Sequence, residues 1–141
     1  MKHKWQDIEL AYEYVSSTPE FQNGAVLNKK TGKIYYRSDM AGEDEIPEEA
    51  YEDDNCIDVP HKNDLDLGKR LVMDFTRQYI PDYYEEVDNI FRSKGAYSRF
   101  KYLLEKIGKL DEWYSYENEK TNKALREWCS ENGIEIYTEN Y

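Results

Sequence analysis

The first apolar positions of the chain, Trp5, Ile8, Tyr12 and Val15, lie three or four residues apart with polar residues between them. That spacing puts them on one side of an α-helix. The helix is predicted to run to about Ser16, where Ser16-Ser17-Thr18-Pro19 breaks the pattern. The period then shortens to that of a strand. Ala25-Val26-Leu27 and Ile34-Tyr35-Tyr36 flank Asn28-Lys29-Lys30-Thr31-Gly32, two apolar runs around a glycine-containing turn, and predict a β-hairpin. A third strand is predicted at Cys56-Ile57-Asp58-Val59, with Ile57 and Val59 on one face and Pro60 ending it. The stretch from Asp39 to Asp58, broken by Gly42 and Pro47, is too polar for a core and is expected to be a solvated, mobile loop.

In the second half the period changes to 3.6 residues. Leu67, Leu71, Val72, Phe75 and Tyr79 place one apolar stripe on a helix that ends before Pro81. Pro81 suits the first position of the next helix, with Asp82, Glu85 and Glu86 at the positive end of its dipole and Tyr83, Val87, Ile90 and Phe91 on its buried face. A further helix carries Ala96, Tyr97, Phe100, Leu103, Leu104 and Ile107 and ends at Gly108. The last begins near Asp111 and carries Trp113, Glu117, Thr121, Ala124, Leu125 and Trp128 along one side before Asn132-Gly133 stops it, and Trp128, continuing the stripe of Ala124 and Leu125, is expected in the core. Ile134–Tyr137 reads as a short edge strand. The fold class is therefore α+β: a single domain over residues 1–141, with a small antiparallel sheet (the hairpin plus one or two short strands) packed against a helical layer. The helical part spans residues 62–133 and the acidic loop residues 39–58.

A length of 141 residues with 15% aromatic residues is enough for one buried core. The mean hydropathy of -1.01 reflects the 35% charged residues and not a shortage of core formers. Met1-Lys2-His3-Lys4 is followed by Trp5-Gln6-Asp7-Ile8-Glu9 and not by an apolar run, which argues against an export signal and for the cytoplasm. No stretch approaches the roughly 20 apolar residues of a membrane span. Cys56 and Cys129 show no paired spacing and read as two buried, reduced thiols. The formal net charge of -11 argues against a general binder of nucleic acid. The charge is also segregated: ten acidic residues and no base lie between Asp39 and Asp58, whereas Arg92–Lys109 holds six bases against Glu105 alone.

The run Gly95-Ala96-Tyr97-Ser98-Arg99-Phe100-Lys101 is accompanied by the opening Trp5-Gln6-Asp7-Ile8-Glu9-Leu10-Ala11 and the closing Ala124-Leu125-Arg126-Glu127-Trp128, the last followed by Gly133-Ile134. With these the chain resembles the bacterial uncharacterised protein family 0158 along nearly its whole length, with a longer acidic stretch. The resemblance supports the domain assignment. It carries over no activity, cofactor or catalytic position.

No nucleotide-binding glycine loop is present, and Asp53-Asp54-Asn55 with Asp58 misses the spacing of a calcium loop. His3 is expected in a frayed terminus and His61 in the loop after Pro60, neither among partners for catalysis. No catalytic, cofactor or metal residue is assigned. Two surfaces remain as binding candidates. On the basic helix, Arg99 and Lys106 share a flank with Tyr102, with Arg92 and Lys94 upstream and Lys101 on the opposite flank facing Glu105. Such a set suits a phosphate or an acidic partner, or else balances the protein's own carboxylates. The acidic candidates are Glu43, Asp44, Glu45, Glu48 and Glu49, whose carboxylates can imitate nucleic-acid phosphates. The reading is a non-enzymatic binding or regulatory module with a protein partner. Its alternatives are an acidic nucleic-acid mimic that inhibits a defence or nucleic-acid-binding protein, a nucleic-acid or phosphate binder using the basic helix, and an enzyme whose site assembles only in three dimensions.

Overall fold

A computed structural model describes residues 1–139. The elements, in order, are β1 (Lys2–Lys4), α1 (Trp5–Ser16), β2 (Asn23–Asn28), β3 (Ile34–Ser38), β4 (Glu43–Asp44), β5 (Cys56–Asp58), α2 (Lys69–Tyr79), α3 (Tyr84–Ile90), α4 (Ala96–Lys106), α5 (Leu110–Glu131) and β6 (Glu135–Tyr137). Short 3-10 turns occupy Glu48–Glu52, Lys62–Leu65 and Pro81–Tyr83. The architecture is α+β, as the change of period predicts. The chain divides into two compact units, a discontinuous one formed by Met1–Leu65 with Arg126–Tyr141 and a helical one formed by Asp66–Leu125.

The first unit holds a four-stranded antiparallel sheet in the order β4-β3-β2-β5. Its central strand is β2, whose Ala25, Val26 and Leu27 are all buried. A strand covered on both faces reads as a continuous apolar run without alternation. The hairpin register pairs Ala25 with Tyr36, Val26 with Tyr35 and Leu27 with Ile34. Its turn is set by Asn28, whose Oδ1 accepts the backbone N–H groups of Lys30 and Thr31 at 2.9 and 3.1 Å. Helix α1 lies against β2 and buries Trp5, Ile8, Ala11, Tyr12 and Val15. Two strands, β1 and β4, were not foreseen. Lys2–Lys4 forms β1, in parallel pairing with β6, with His3 opposite Ile136. His3 is therefore buried in a strand and not frayed, and burial lowers its pKa.

The acidic stretch also departs from the expected loop. It carries β4 and a 3-10 turn ahead of the predicted strand β5, although most of its side chains are exposed. Its acids build turns. The carboxylate of Asp44 accepts the Ile46 N–H at 3.0 Å and that of Asp53 accepts the Asn55 N–H at 2.8 Å. Ala50 is buried and anchors the 3-10 turn.

In the helical unit, α2 buries Leu71, Val72, Met73, Phe75 and Thr76. Phe75, Phe100 and Trp113 meet in edge-on pairs with centroids 5.1–6.5 Å apart. Tyr97 is half-buried, and burial pushes its hydroxyl up to about 12. The α4 terminus is closed by Gly108 at φ +74°, after which the Lys109 N–H reaches back to the Leu104 carbonyl at 2.8 Å. On α3 only Val87 is buried, and Tyr83, Ile90 and Phe91 are half-buried. Trp128, expected in the core, is half-buried too. Leu125 and Cys129, four residues apart, define the buried line of α5 at its end, and Trp128 sits about 100° away from Cys129. Cys56 is half-buried and Cys129 buried, and both are free thiols.

Candidate binding site

One concavity of the first unit is built on a glycine. Gly24 of β2 stands opposite Arg37 of β3 in the sheet register. A Cβ on Gly24 would come within 2.7 Å of the Arg37 Nη2 and 3.1 Å of its Nε and Cζ. The missing side chain thus lets the guanidinium lie flat on the strand. From there Arg37 Nη1 donates to the Phe21 carbonyl at 3.2 Å and to the Asp39 carboxylate at 2.8 Å. Phe21 has φ +71°, a left-handed conformation that an aromatic residue rarely adopts, and its ring is 82% exposed.

Phe21, Gly24 and Arg37 border a cavity of about 220 Å³. Val15, Ala25 and Val59 supply its apolar lining, and Glu20, Asp58 and Asp64 supply carboxylates. Asn23 and His61, both at least nine-tenths buried, complete it. His61 is fastened on both sides: Nε2 donates to the Thr18 carbonyl at 2.8 Å and Nδ1 accepts the Asn63 N–H at 3.1 Å. Its backbone N–H is held by the Asp64 carboxylate at 3.0 Å. This histidine ties the turn after β5 to the segment that follows α1, and neither ring nitrogen is left for proton transfer. The Asn23 amide nitrogen donates to the Tyr14 carbonyl at 3.1 Å, whereas its Oδ1 accepts no hydrogen bond among the described residues. Glu20 and Asp58 likewise have no ion pair or side-chain hydrogen bond among the described residues.

The acidic candidates belong to the same unit. Glu43, Asp44, Glu45, Glu48 and Glu49 are all exposed and form no ion pair among the described residues. Large apolar side chains stand exposed in the same segment, Met40 at 82% and Tyr51 at 63%. The acids therefore share their segment of the chain with exposed apolar groups.

The basic set has a different character. Arg99 Nη2 donates to the Lys94 carbonyl and the Ser93 hydroxyl at 2.7 Å, and more weakly to the Ile90 carbonyl at 3.3 Å. It is a clasp on the α3–α4 connection. Arg92 pairs with Asp88 at 3.0 Å, and Lys69 reaches the same carboxylate at 3.4 Å. These two bases hold the Asp88 carboxyl below its ordinary range. Lys101 lies 5.7 Å over the Tyr114 ring and does not meet Glu105. Lys94, Tyr102 and Lys106 are exposed. Of the six basic-surface candidates, Arg92, Arg99 and Lys101 are each engaged by a different kind of partner, and Arg92 alone forms an ion pair among the described residues.

Sequence reasoning missed Glu20, Phe21, Asn23, Arg37, Asp58 and Asp64 as neighbours, because strand register and a chain reversal bring them together. The one available signal was Gly24 inside a strand, a residue that often marks close approach of another group. Among the described residues no three His, Cys, Asp or Glu side chains are grouped to hold a metal ion, and no helix is long and apolar enough to cross a membrane. No curated protein and no solved structure matches the chain. Residues 16–140 match the model of an uncharacterised protein family, UPF0158, and the chain therefore belongs to that family.

Proposed function

We propose that the chain is a cytoplasmic, non-enzymatic binding module that engages a basic protein partner through the acidic surface of its sheet-containing unit. The observation that carries this reading is the exposure of Glu43, Asp44, Glu45, Glu48 and Glu49 without ion pairs among the described residues, beside exposed Met40 and Tyr51. Unpaired carboxylates raise the encounter rate with a cationic partner, and methionine and aromatic side chains are enriched where interfaces become dry. The basic segment supports a nucleic-acid or phosphate site less well, since Arg92 and Arg99 are already occupied by local acceptors.

The test is capture of a partner by the tagged protein from its native host. Changing Glu43, Glu45, Glu48 and Glu49 to Gln and Asp44 to Asn keeps each side chain's shape and removes its charge. Capture by this variant is expected to be lost, and wild-type capture to weaken as salt rises. Unchanged capture, with loss instead in Arg99→Glu combined with Lys106→Glu, would transfer the function to the basic helix. A second reading follows from the same unpaired carboxylates, which suit the basic groove of a nucleic-acid-binding protein. Duplex DNA then competes with the chain for the captured partner, whereas a partner bound elsewhere keeps both.

A further inference from the structure

The cavity beside Gly24 has a chemical preference. Its uncommitted polar atoms are acceptors: the Asn23 Oδ1, the carboxylates of Glu20 and Asp58, and the Asp64 oxygen that does not hold the His61 N–H. The one cation in its lining, Arg37, is neutralised by Asp39 at 2.8 Å and laid against the Gly24 backbone. The site therefore carries an excess of negative charge and hydrogen-bond acceptors around an apolar lining of Val15, Ala25 and Val59. A guanidinium or ammonium group has only donors, and its methylene stem needs an apolar wall. The volume of about 220 Å³ is below that of drug-sized pockets and on the scale of one long side chain. Phe21 adds an exposed aromatic ring to the same lining, and a ring face attracts a cation.

We propose that this cavity receives the cationic end of an arginine or lysine side chain of the partner. The choice of a protein side chain rests on the partner reading above, whereas the chemistry of the cavity does not. Recognition would be by charge-assisted hydrogen bonds to Asp58, Glu20 and Asn23, with the stem against Val15 and Val59.

The test uses the full chain labelled with ¹⁵N and titrated with n-butylguanidinium, and in parallel with n-butylurea, a neutral analogue of the same shape. Butylguanidinium is expected to shift the backbone amides of Asn23, Gly24, Asp58, His61 and Asp64, and butylurea to leave them in place. Asp58→Asn combined with Glu20→Gln, two exposed positions, is expected to weaken the response about a hundredfold, about tenfold for each charged hydrogen-bond partner lost. Equal shifts with butylurea, shifts confined to other residues, or an unaltered response in the double variant would each overturn the proposal. A second titration uses a synthetic peptide of alternating arginine and glycine. If the peptide loses binding when the acidic segment is neutralised while butylguanidinium leaves the cavity amides unmoved, the cavity proposal fails and the partner reading stands. If butylguanidinium binds in the cavity and the peptide binds equally well after neutralisation, the acidic-surface reading fails and the cavity proposal stands.

Discussion

Replacing Phe21 by glycine is expected to make the protein more stable and a poorer binder. The left-handed backbone at φ +71° costs a non-glycine residue about 1–2 kcal/mol, and glycine adopts it freely. Against this stands the larger freedom of glycine in the unfolded chain, roughly 0.5–1 kcal/mol. The ring contributes little, because 82% of its residue surface is in water. The net change expected for Phe21→Gly is a gain of about 0.5–1 kcal/mol. Phe21→Ala removes the same ring and retains the strain, so it should stay within about 0.5 kcal/mol of the parent. Urea denaturation of the three proteins in one buffer measures both differences, and titration with the arginine–glycine peptide measures their affinities. Both variants should bind more weakly. A glycine variant no more stable than the alanine variant would show that the backbone is not strained, and an alanine loss above about 1 kcal/mol would show that the ring is packed. A stabilised glycine variant with undiminished affinity would separate the strain from binding altogether.

Four further outcomes are expected. Trp113→Ala should cost about 3–5 kcal/mol in urea denaturation, as Trp113 is wholly buried against Phe75 and Phe100, whereas Trp128→Ala on the half-buried flank should cost clearly less; equal losses would contradict the burial assignment. Arg99→Ala should destabilise the helical unit by roughly 1 kcal/mol through release of the α3–α4 connection, and leave peptide binding unchanged. A loss of binding without loss of stability would make Arg99 a contact residue instead. The Cys129 thiol is raised to about 11 by burial, so the folded protein keeps it protonated while the unfolded chain ionises it near 9. Stability tied to this thiol is complete below about pH 9 and declines as pH rises toward 11. In the native state Cys56 should react with a thiol reagent well before Cys129, and comparable rates would show that the end of α5 opens readily.

The helices and the hairpin were legible because their information is local. Trp5 to Val15, Leu71 to Phe75 and the Asn28–Gly32 turn each announce themselves within a few residues. The strand at Lys2–Lys4 was not legible, since three residues with two lysines have no alternating apolar pattern and owe their conformation to a partner at 135–137. Trp128 was misplaced for a subtler reason. Its neighbours Leu125 and Cys129 take the buried line, and a shift of one residue turns a helical side chain by about 100°. The acidic stretch looked like a loop by composition, yet its Asp side chains supply the hydrogen bonds that order it. The cavity was the least legible feature. Glu20, Arg37 and Asp58 come from separate segments, and only Gly24 hinted at their meeting.

The pairing of β1 with β6 has a consequence for how the chain is made. Lys2 finds its partner at Glu135, so the small parallel sheet cannot close until nearly all of the described chain has left the ribosome. The helical unit, continuous from Asp66 to Leu125, has no such wait. During synthesis the two units should therefore mature in the reverse of their starting order, with the helices collapsing on local contacts while Trp5, Ile8 and the β1 residues are held in an unfinished state. Chains stalled behind a C-terminal linker that brings Asp66–Leu125 out of the ribosome but keeps the residues after 126 in its exit tunnel should resist protease across the helical segment and be cut within the first 65 residues, and release of the full chain should abolish that difference.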